Sequence, residues 1–333
     1  MVQEITAILV SWRDGSETIA AIEALAEARS RVPPAGPKAS LVVVDNAGGA
    51  LDGEAVRAHW PDAVLLVNEA NRGFGPAVNQ AARAARGDVL LLLNPDTRAD
   101  GEPLSEIARA FDSRSDVVAV APRLLDPGPR TGDRSGPNRR LEPPGREDQF
   151  TFQLRRLPRL RDDARELLLF DHLAPNNRFR RRFRYADRDP ETPIEVEQPA
   201  AAALAIRADA YRAVGGFDES FVPAWFEDVD LCARLRDRGA ILYWPPARFR
   251  HRGGASSADL GYARFLPIYY ANAIRYRRRR YGCAARAAYR GLVAAGMVMR
   301  LVALPLRSRP PRPRREAAVA YVRTLGVALK SRR

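Results

Sequence analysis

The chain has 333 residues, 46% of them hydrophobic, and a formal net charge of +14. From Arg275 onward, 17 Lys and Arg side chains stand against the single acid Glu316, so the first 274 residues carry a net charge of −2. This distribution argues against a globular domain that binds nucleic acid. Two cysteines without a CxxC pair argue against a disulfide framework or a thiolate metal site. The apolar runs are all interrupted before the length of a spanning helix, so we predict none.

The first 121 residues alternate between apolar strands and helix-like stretches, which predicts a mostly parallel α/β sheet. The predicted strands are Ile5–Val10, Leu41–Val44, Ala63–Val67, Val89–Leu93 and Val117–Ala121. The predicted helices are Ser16–Ala28, Gly53–Ala58, Pro76–Arg86 and Pro103–Phe111. The second and fourth strands end in polar residues, Asp45-Asn46 and Asn94-Pro95-Asp96. Because ligands of open α/β sheets bind at the carboxyl ends of strands, this edge is a candidate site.

The pattern changes between residues 124 and 195, which are rich in Pro, Arg and Asp. One helix is predicted there, and the regular fold resumes after it. The predicted elements are a helix within Phe152–Phe170, a strand over Val196–Ile206, helices at Ala208–Val214 and Glu227–Arg238, and strands at Ile241–Trp244 and Arg248–His251. Helices are predicted to dominate from Tyr262 onward.

An acidic segment, Gly215–Leu231, crowds carboxylates among glycines and aromatic residues. Its acids are Asp218, Glu219, Glu227, Asp228 and Asp230. Unpaired charge beside buried rings is costly to desolvate, so the cluster indicates a carboxylate that acts as a base or meets a cation. The acidic first turn of a helix explains part of the same pattern. Asp230 is spaced to pair with Arg234 one helical turn later.

Three other segments carry candidate site residues. The turn Asn68–Asn79 places Gly73 and Gly75 before a helix, where backbone amides bind an anion or simply cap the helix. Asp96 is a candidate ligand for a divalent ion on a diphosphate, or the centre of an Asx turn after Pro95. His251 ends a predicted strand, and by itself it is as compatible with a structural role as with metal binding.

Five ordered segments together resemble the family 2 glycosyltransferases, and within them the bacterial rhamnosyltransferase-like branch. The segments are VSWRDG at 10–15, VVVDNAGG at 42–49, NRGFGPAVNQAARAARGDVLLLLNPDT at 71–97, GGFDESFVPAWFEDVDLCARLRDRG at 215–239 and HRGGASS at 251–257. The resemblance implies a GT-A fold and transfer of a sugar from a nucleotide diphosphate with inversion at the anomeric carbon.

The resemblance also assigns roles by position. The nucleotide-sugar site would be lined by Ser11, Asp45, Asn71, Arg72, Gly73, Asn79, Asn94 and Asp96, with Asp45 at the pyrimidine edge. Asn94 and Asp96 occupy the positions of the family's DxD motif, and the neutral Asn94 departs from it. Asp96 and His251 would hold Mg²⁺ or Mn²⁺. Asp228 would be the catalytic base, with Glu227 beside it, and Trp225 would contact the acceptor.

The expected activity is transfer of a hexose to a glycan or polyprenyl-diphosphate-linked acceptor in cell-wall or polysaccharide synthesis, with L-rhamnose from dTDP-rhamnose as the first candidate. The alternatives are a UDP-sugar donor, a sugar nucleotidyltransferase, and a non-catalytic binding protein on the same fold. A nucleotidyltransferase predicts a glycine-rich loop after the first strand, where this chain reads VSWRDGSE. A binding protein needs neither a base nor a metal ligand.

Four regions are expected along the chain: a nucleotide-sugar-binding half at 1–123, an insertion at 124–195 that forms an acceptor-side lid, a catalytic half at 196–260, and a helical basic tail at 261–333. Apolar residues such as Ala318, Val322, Leu325 and Leu329 recur at helical spacing in the tail. A basic amphipathic tail suits an anionic membrane surface. We therefore expect a cytoplasmic protein, peripheral on the inner face of the cell membrane, that does not bind nucleic acid.

Overall fold

The structure is a computed structural model that describes residues 1–12, 15–126, 148–253, 261–306 and 313–330. Parts of the segments singled out above lie outside the described residues. These are Arg13 and Asp14 of the first motif, 127–147 of the insertion, 254–257 of the last motif, and 307–312 and 331–333 of the basic C-terminal segment.

The chain divides into two compact units. The first unit comprises Met1–Arg156, Tyr185–Ser220 and Glu227–Gly253, and the second comprises Leu157–Arg184, Phe221–Phe226 and Gly254–Arg333. The strands are β1 Glu4–Ser11, β2 Lys38–Asp45, β3 Val64–Val67, β4 Val89–Leu93, β5 Thr97–Asp100, β6 Val117–Leu125, β7 Leu154–Arg155, β8 Ile194–Glu195, β9 Gln198–Pro199, β10 Ala203–Arg207 and β11 Ala240–His251. The helices are α1 Gly15–Ser30, α2 Gly53–His59, α3 Phe74–Ala84, α4 Pro103–Ser113, α5 Phe150–Gln153, α6 Leu160–Leu167, α7 Phe170–Leu173, α8 Arg178–Phe183, α9 Ala208–Ala213, α10 Glu227–Arg236, α11 Tyr262–Ala303 and α12 Arg314–Leu329.

The first unit is built on one mixed sheet with the strand order β3-β2-β1-β4-β10-β6-β11-β5, and β8 also pairs with β11. Strands β3, β2, β1 and β4 are parallel, β6 and β11 are parallel, and β10 runs antiparallel between β4 and β6. Apolar clusters cover both faces of the sheet, which explains the continuous apolar runs in β2 and β4. The predicted α/β architecture is confirmed.

One edge of this sheet gathers the polar strand ends. In the register, Ser11 pairs with Asp45 and Leu9 pairs with Leu93, so β1, β2 and β4 end side by side. His251 ends β11 at the same edge, where it pairs with Thr97 of β5. The antiparallel β10 begins there, and Asn94 N donates to Ala202 O just before it (2.9 Å).

The element predictions succeed best in the first 121 residues, where β4 has the predicted bounds and the other strands are longer or shorter by a few residues. Three later predictions are wrong. The single helix within Phe152–Phe170 is broken into α5, β7 and α6, because Pro158 lacks an amide hydrogen and restricts the residue before it. The strand over Val196–Ile206 is two strands, β9 and β10. The two strands after Ile241 are one strand, β11, with an irregular register between Trp244 and Arg248.

The second unit is helical. Its longest helix, α11, changes direction at Gly282, whose φ of 85° is unfavourable for any residue with a side chain. Phe226 is buried there between Tyr269 (ring centroids 5.1 Å) and Tyr276 (5.8 Å). The predicted helical C-terminal region is thus present. Among the helices within the described ranges, none combines the length and apolar character needed to cross a membrane.

Candidate active site

Asp45 and Ser11 are the last residues of β2 and β1 and lie side by side at this edge of the sheet. Asp45 is buried, and its carboxylate accepts from Ala47 N (2.9 Å) and Leu51 N (3.0 Å), so it fixes the loop that follows β2. Ser11 Oγ accepts from Thr18 Oγ1 of α1 (2.9 Å). Each carboxylate oxygen of Asp45 has a second lone pair, so it retains acceptor capacity for a ligand.

A network of asparagines holds the glycine turn before α3. Asn46 Nδ2 donates to Asn71 Oδ1 (2.9 Å), and Asn46 Oδ1 accepts from Asn68 Nδ2 (3.0 Å) and from Arg72 N (3.1 Å). Asn71 Oδ1 also accepts from Gly73 N (2.8 Å), and Gly73 precedes α3 with a φ of 92°. The predicted residues Asn71, Arg72 and Gly73 therefore form one braced turn at the end of β2.

Asp96 and His251 face each other at the same edge. His251 Nε2 lies 3.4 Å from Asp96 Oδ1, and Gly253 N donates to Asp96 Oδ2 (3.1 Å). Burial opposes ionisation of Asp96, but the hydrogen bond and charge of His251 outweigh it and hold the pKa of Asp96 below its ordinary value. On its other side, His251 Nδ1 contacts Gln149 Oε1 (3.0 Å), and Gln149 Nε2 donates to His251 O (2.5 Å).

The Asp96 turn is braced from outside by Glu17 near the start of α1. Glu17 accepts from Arg98 Nη2 (2.7 Å) and from Arg252 Nη1 (2.7 Å), so one carboxylate joins the turn after β4 to the segment after β11. Arg98 Nη1 also donates to Pro95 O (2.9 Å). Asn94 at the other end of the turn is half-buried, and its side-chain amide makes no hydrogen bond within the described part of the chain.

Asp228 and Glu227 begin α10. Asp228 Oδ2 accepts from Gln198 Nε2 of β9 (3.2 Å), and its Oδ1 accepts from Val229 N (2.8 Å). Glu227 Oε2 is shielded from solvent and finds no hydrogen-bond partner among the described residues. Because β9 leads into β10, Gln198 ties Asp228 to the sheet edge that holds Asn94.

Both carboxyl groups of this pair have raised pKa values. Burial, and then the negative charge of Asp228, raise the pKa of Glu227. Burial raises the pKa of Asp228, against the Val229 amide and the charge of Arg155, which favour the carboxylate. A carboxyl group whose pKa is raised in this way is a stronger proton acceptor once it is ionised.

Comparison with known proteins identifies the family. The profile of the family described as "Glycosyl transferase family 2" matches residues 11–183, more than half of the chain. The chain belongs to glycosyl transferase family 2. A search of curated protein sequences found no significant match.

Solved structures of other glycosyltransferases are similar to this chain and share its GT-A fold. One is a mannosyltransferase from Pyrobaculum calidifontis in complex with GDP-Man and Mn²⁺, with 14% identity, a TM-score of 0.51, and coverage of 98% of this chain and 86% of that chain. Another is GalNAc-T7 with UDP, GalNAc and Mn²⁺, with 13% identity and a TM-score of 0.53 over 96% of this chain. This chain spans only 54% of the GalNAc-T7 chain.

Asn79 and Gly75 of α3 contact the acidic segment. Asn79 is buried with all its hydrogen-bonding capacity used: its Nδ2 donates to Phe217 O and Glu219 Oε1 (both 2.9 Å), and its Oδ1 accepts from Tyr211 OH (2.6 Å) and Phe217 N (2.9 Å). It therefore anchors the acidic segment, and its predicted contact with a nucleotide stays a prediction. Gly75 packs against Phe217, where an added Cβ would lie 3.1 Å from Phe217 Cβ.

The aromatic candidate Trp225 belongs to the second unit. It packs edge-on against Phe265 (ring centroids 4.7 Å) and stays partly exposed, with a φ of 72°. Asn272 Nδ2 holds the backbone beside it by donating to Ala224 O (2.8 Å) and Trp225 O (3.1 Å). The predicted pairing of Asp230 with Arg234 is confirmed (2.6 Å), and Arg234 Nη1 also donates to Val214 O and Gly216 O.

Sequence reasoning missed the residues that position the glycosyltransferase's candidates. Asn46 stands directly after Asp45 in the quoted motif, so that motif already contained the signal. Gln149, Gln198 and Glu17 gave none, because each lies in an irregular or otherwise ordinary stretch and contacts its partner only through the fold.

Proposed function

We propose that the protein is an inverting glycosyltransferase that moves a hexose from a nucleotide diphosphate to a glycan or a polyprenyl-diphosphate-linked acceptor in cell-wall or polysaccharide synthesis. The observation that carries the proposal is the single sheet edge of the first unit, which gathers Ser11, Asp45, Asp96 and His251 and reaches Asp228 through Gln198. L-Rhamnose from dTDP-rhamnose is the first candidate donor, and it rests on the resemblance of the motifs.

The donor site is proposed at the braced turn and the strand ends. Asp45 and Ser11 face the nucleoside, and the turn Asn71–Gly73 at the start of α3 faces the diphosphate, because the start of a helix favours negative charge. The amides of Arg72 and Gly73 are used inside the turn, so they hold its shape while the helix start attracts the anion. Asn94 is placed to hydrogen-bond the ribose or sugar hydroxyls through its uncommitted amide.

Asp96 and His251 fit a divalent metal. Gln149 donates to His251 O, so its Oε1 is the acceptor for His251 Nδ1–H, and loss of the Nε2 proton to solvent on metal binding would leave a lone pair on Nε2. That lone pair faces the Asp96 carboxylate at 3.4 Å, close to the spacing of about 3 Å between adjacent ligands of an octahedral Mg²⁺.

No group of three or more acidic, His or Cys side chains suited to a metal occurs among the residues that the structure describes. Diphosphate oxygens and water therefore complete the proposed shell, as is usual for Mg²⁺. When bound, Mg²⁺ or Mn²⁺ neutralises charge on the leaving diphosphate.

Asp228 is proposed as the general base. The acceptor hydroxyl oxygen attacks the anomeric carbon, the bond from that carbon to the diphosphate oxygen breaks, and the hydroxyl proton passes to Asp228. One displacement of this kind inverts the configuration. Gln198 and the Val229 amide orient the carboxylate, and the negative charge of Asp228 raises the pKa of Glu227 beside it, which favours the protonated form of Glu227.

The remaining assignments concern the acceptor and the cell. Trp225 is proposed as an apolar contact for the acceptor, and 124–195 as an acceptor-side lid. The chain is proposed to work at the inner face of the cell membrane, to which the basic C-terminal segment attaches it. A lipid-linked acceptor resides in that membrane, which supports both the location of the protein at the inner face and its attachment through the basic C-terminal segment.

Calorimetric titration with dTDP, UDP and GDP, each with Mn²⁺ or Mg²⁺ and again with EDTA, tests the donor site. We expect one nucleotide to bind, with affinity that falls in EDTA and in His251→Ala. Arg86→Gln, on an exposed position after α3, is the matched control and should bind as the wild type does. No binding to any nucleotide by a folded sample would refute the glycosyltransferase mechanism.

A further inference from the structure

The second half of α11 presents an apolar surface to solvent. The exposed residues that follow one helical face from 284 to the chain just beyond α11 are Ala284, Ala288, Gly291, Ala295, Val298, Val302 and Leu306. We call this set the outer apolar face. No exposed residue from 281 to 306 is charged, and Val302 and Leu306 keep 66% and 83% of their surface exposed. A helix on the surface of a soluble domain normally shows the reverse pattern.

The arginines of the same stretch point inward. Arg290 Nε donates to Ala328 O of α12 (2.7 Å). Arg300 donates from Nη2 to Glu166 O (2.9 Å) and from Nη1 to Leu167 O. Arg286, Arg290 and Arg300 are all only partly exposed. Arg290 and Arg300 thus point toward backbone carbonyls, while Val298 and Val302 face outward.

Neighbouring elements of the second unit extend this surface. Gly296 of α11 packs against Leu167, and the exposed Leu168, Phe170 and Leu173 follow directly in the chain. On α12, Val322 and Leu329 are exposed beside cationic side chains. The exposed basic residues of α12 and its flank are Arg314, Arg315, Arg323 and Lys330. Glu316, the one acid in residues 261–333, accepts from Tyr262 N (2.9 Å).

We propose that the outer apolar face inserts into the head-group region of an anionic lipid bilayer, with the basic residues of α12 against the lipid phosphates. Exposed apolar patches rimmed by polar groups mark interaction surfaces. Residues 261–333 carry 18 Lys and Arg against one acid, so a negatively charged surface complements them. A second copy of this chain would instead bring like charge against like charge.

The inference rests on the proposed membrane location but not on the donor, the metal or the base. It also changes the expected nature of the attachment, because the described part of the basic segment includes the helix α12, Arg314–Leu329, beside an apolar face. An apolar component survives high salt, whereas attraction between exposed charges is screened.

Flotation with vesicles of phosphatidylcholine and phosphatidylglycerol in equal parts, at low and high NaCl, tests the inference on the full chain. Val298→Gln/Val302→Gln should lower the partition coefficient by about tenfold or more and remove the salt-resistant part. Arg315→Gln/Lys330→Gln should weaken only the salt-sensitive part. Val64→Gln on β3 and Arg83→Gln/Arg86→Gln on and after α3 are the matched controls in the first unit, and they should float as the wild type does.

Three outcomes would overturn the inference: a wild type that does not float, a Val298→Gln/Val302→Gln protein that floats normally, or flotation equal on pure phosphatidylcholine. A dimer that the same double variant dissociates in sedimentation would assign the face to a second copy. Titration of each variant with nucleotide separates this test from the donor site. A variant that binds nucleotide but loses the vesicles supports the inference, whereas loss of nucleotide binding in every protein speaks only against the proposed chemistry.

Discussion

The carboxylates of the acidic segment differ in the groups that they contact. Asp230 is paired with Arg234, Glu219 accepts from Asn79, and Asp218 accepts from Ser220 N (3.0 Å). Asp228 instead accepts from a neutral amide, that of Gln198, and Glu227 lies next to it. A base must be ionised without being neutralised by a cation that holds its proton-accepting lone pair. Asp230 does not meet that condition, because it is paired with Arg234. Asp228 and Glu227 meet it, and burial raises the pKa of both carboxyl groups.

Asp228→Asn should lower kcat by about 10²- to 10⁴-fold, because the amide is nearly isosteric but accepts no proton. Nucleotide affinity should stay unchanged, since Asp228 is not proposed to contact the donor's nucleotide. Steady-state kinetics and calorimetry measure the two quantities. Asp209→Asn, an exposed carboxylate at the start of α9, is the control for the same chemical change and should retain activity. A near-normal kcat in Asp228→Asn would remove it from the base role.

The pH profile should show the coupling of the pair. Because burial raises the pKa of both carboxyl groups, the ionised base is lost as pH falls through a value above the ordinary carboxyl range, and kcat falls with it. The charge of Asp228 raises the pKa of Glu227, so Glu227 keeps its proton after Asp228 has lost its own. Glu227→Gln leaves a neutral group in this place, so the acidic limb of the kcat profile should stay where it is in the wild type. Buffer-matched profiles of both proteins measure its position. A limb that moves to lower pH in Glu227→Gln would show that Glu227 is ionised beside the base.

At the level of elements, the joint between α3 and the acidic segment determines where α10 begins. Asn79 holds Phe217 and Glu219, and Arg234 holds Val214 and Gly216 from the other side. Gly216 fits between them with a φ of 68°, and an added Cβ would lie 2.4 Å from Asn79 Oδ1. That oxygen cannot withdraw, because its side chain already makes four hydrogen bonds.

Gly216→Ala and Gly215→Ala form a matched pair for this joint. Both glycines have positive φ (68° and 78°), so each alanine carries a backbone cost of about 1–2 kcal/mol. At Gly215 an added Cβ meets nothing within 4 Å, whereas at Gly216 it meets the fixed Asn79. Gly216→Ala should therefore lower the free energy of unfolding by about 1–3 kcal/mol more than Gly215→Ala. Urea unfolding measures the difference. Equal losses in the free energy of unfolding would show that Asn79 moves to make room for the added Cβ.

The parts of the fold that the sequence predicted are those where a single local signal decides. The apolar run Val89–Leu93 allows only a buried strand, and Asp45 and Asp96 stand where such strands end. The contacts of Asn79 with Tyr211 and Phe217 were not predicted, because its position in the motif does not show them. Gln149 and Gln198 were missed because their partners, His251 and Asp228, lie 102 and 30 residues away. Long-range polar contacts leave no periodic trace in the chain.

At the scale of the whole molecule, the second unit could not be predicted from local sequence signals either, because it joins segments that are distant in sequence. Arg277 of α11 is buried, donates to Pro158 O and Asp163 Oδ2, and lies over the ring of Tyr289 (5.1 Å to the centroid). Leu157–Arg184 and the C-terminal helices therefore share one interior. Neither the insertion nor the basic segment is an appendage by itself.

Arg277→Met should destabilise this unit by about 3–5 kcal/mol, because it leaves the Asp163 carboxylate buried without its cation. Adding Asp163→Leu should recover much of that loss, since an apolar pair avoids the desolvation of either charge. Hydrogen exchange in peptides from α6 and α11 measures the effect, with α3 of the first unit as the internal reference. Exchange that rises in α11 but not in α6 would show that the two segments open separately. Equal instability of the single and double variants would show that Arg277 stabilises the unit through its ring contacts and Pro158, and not through Asp163.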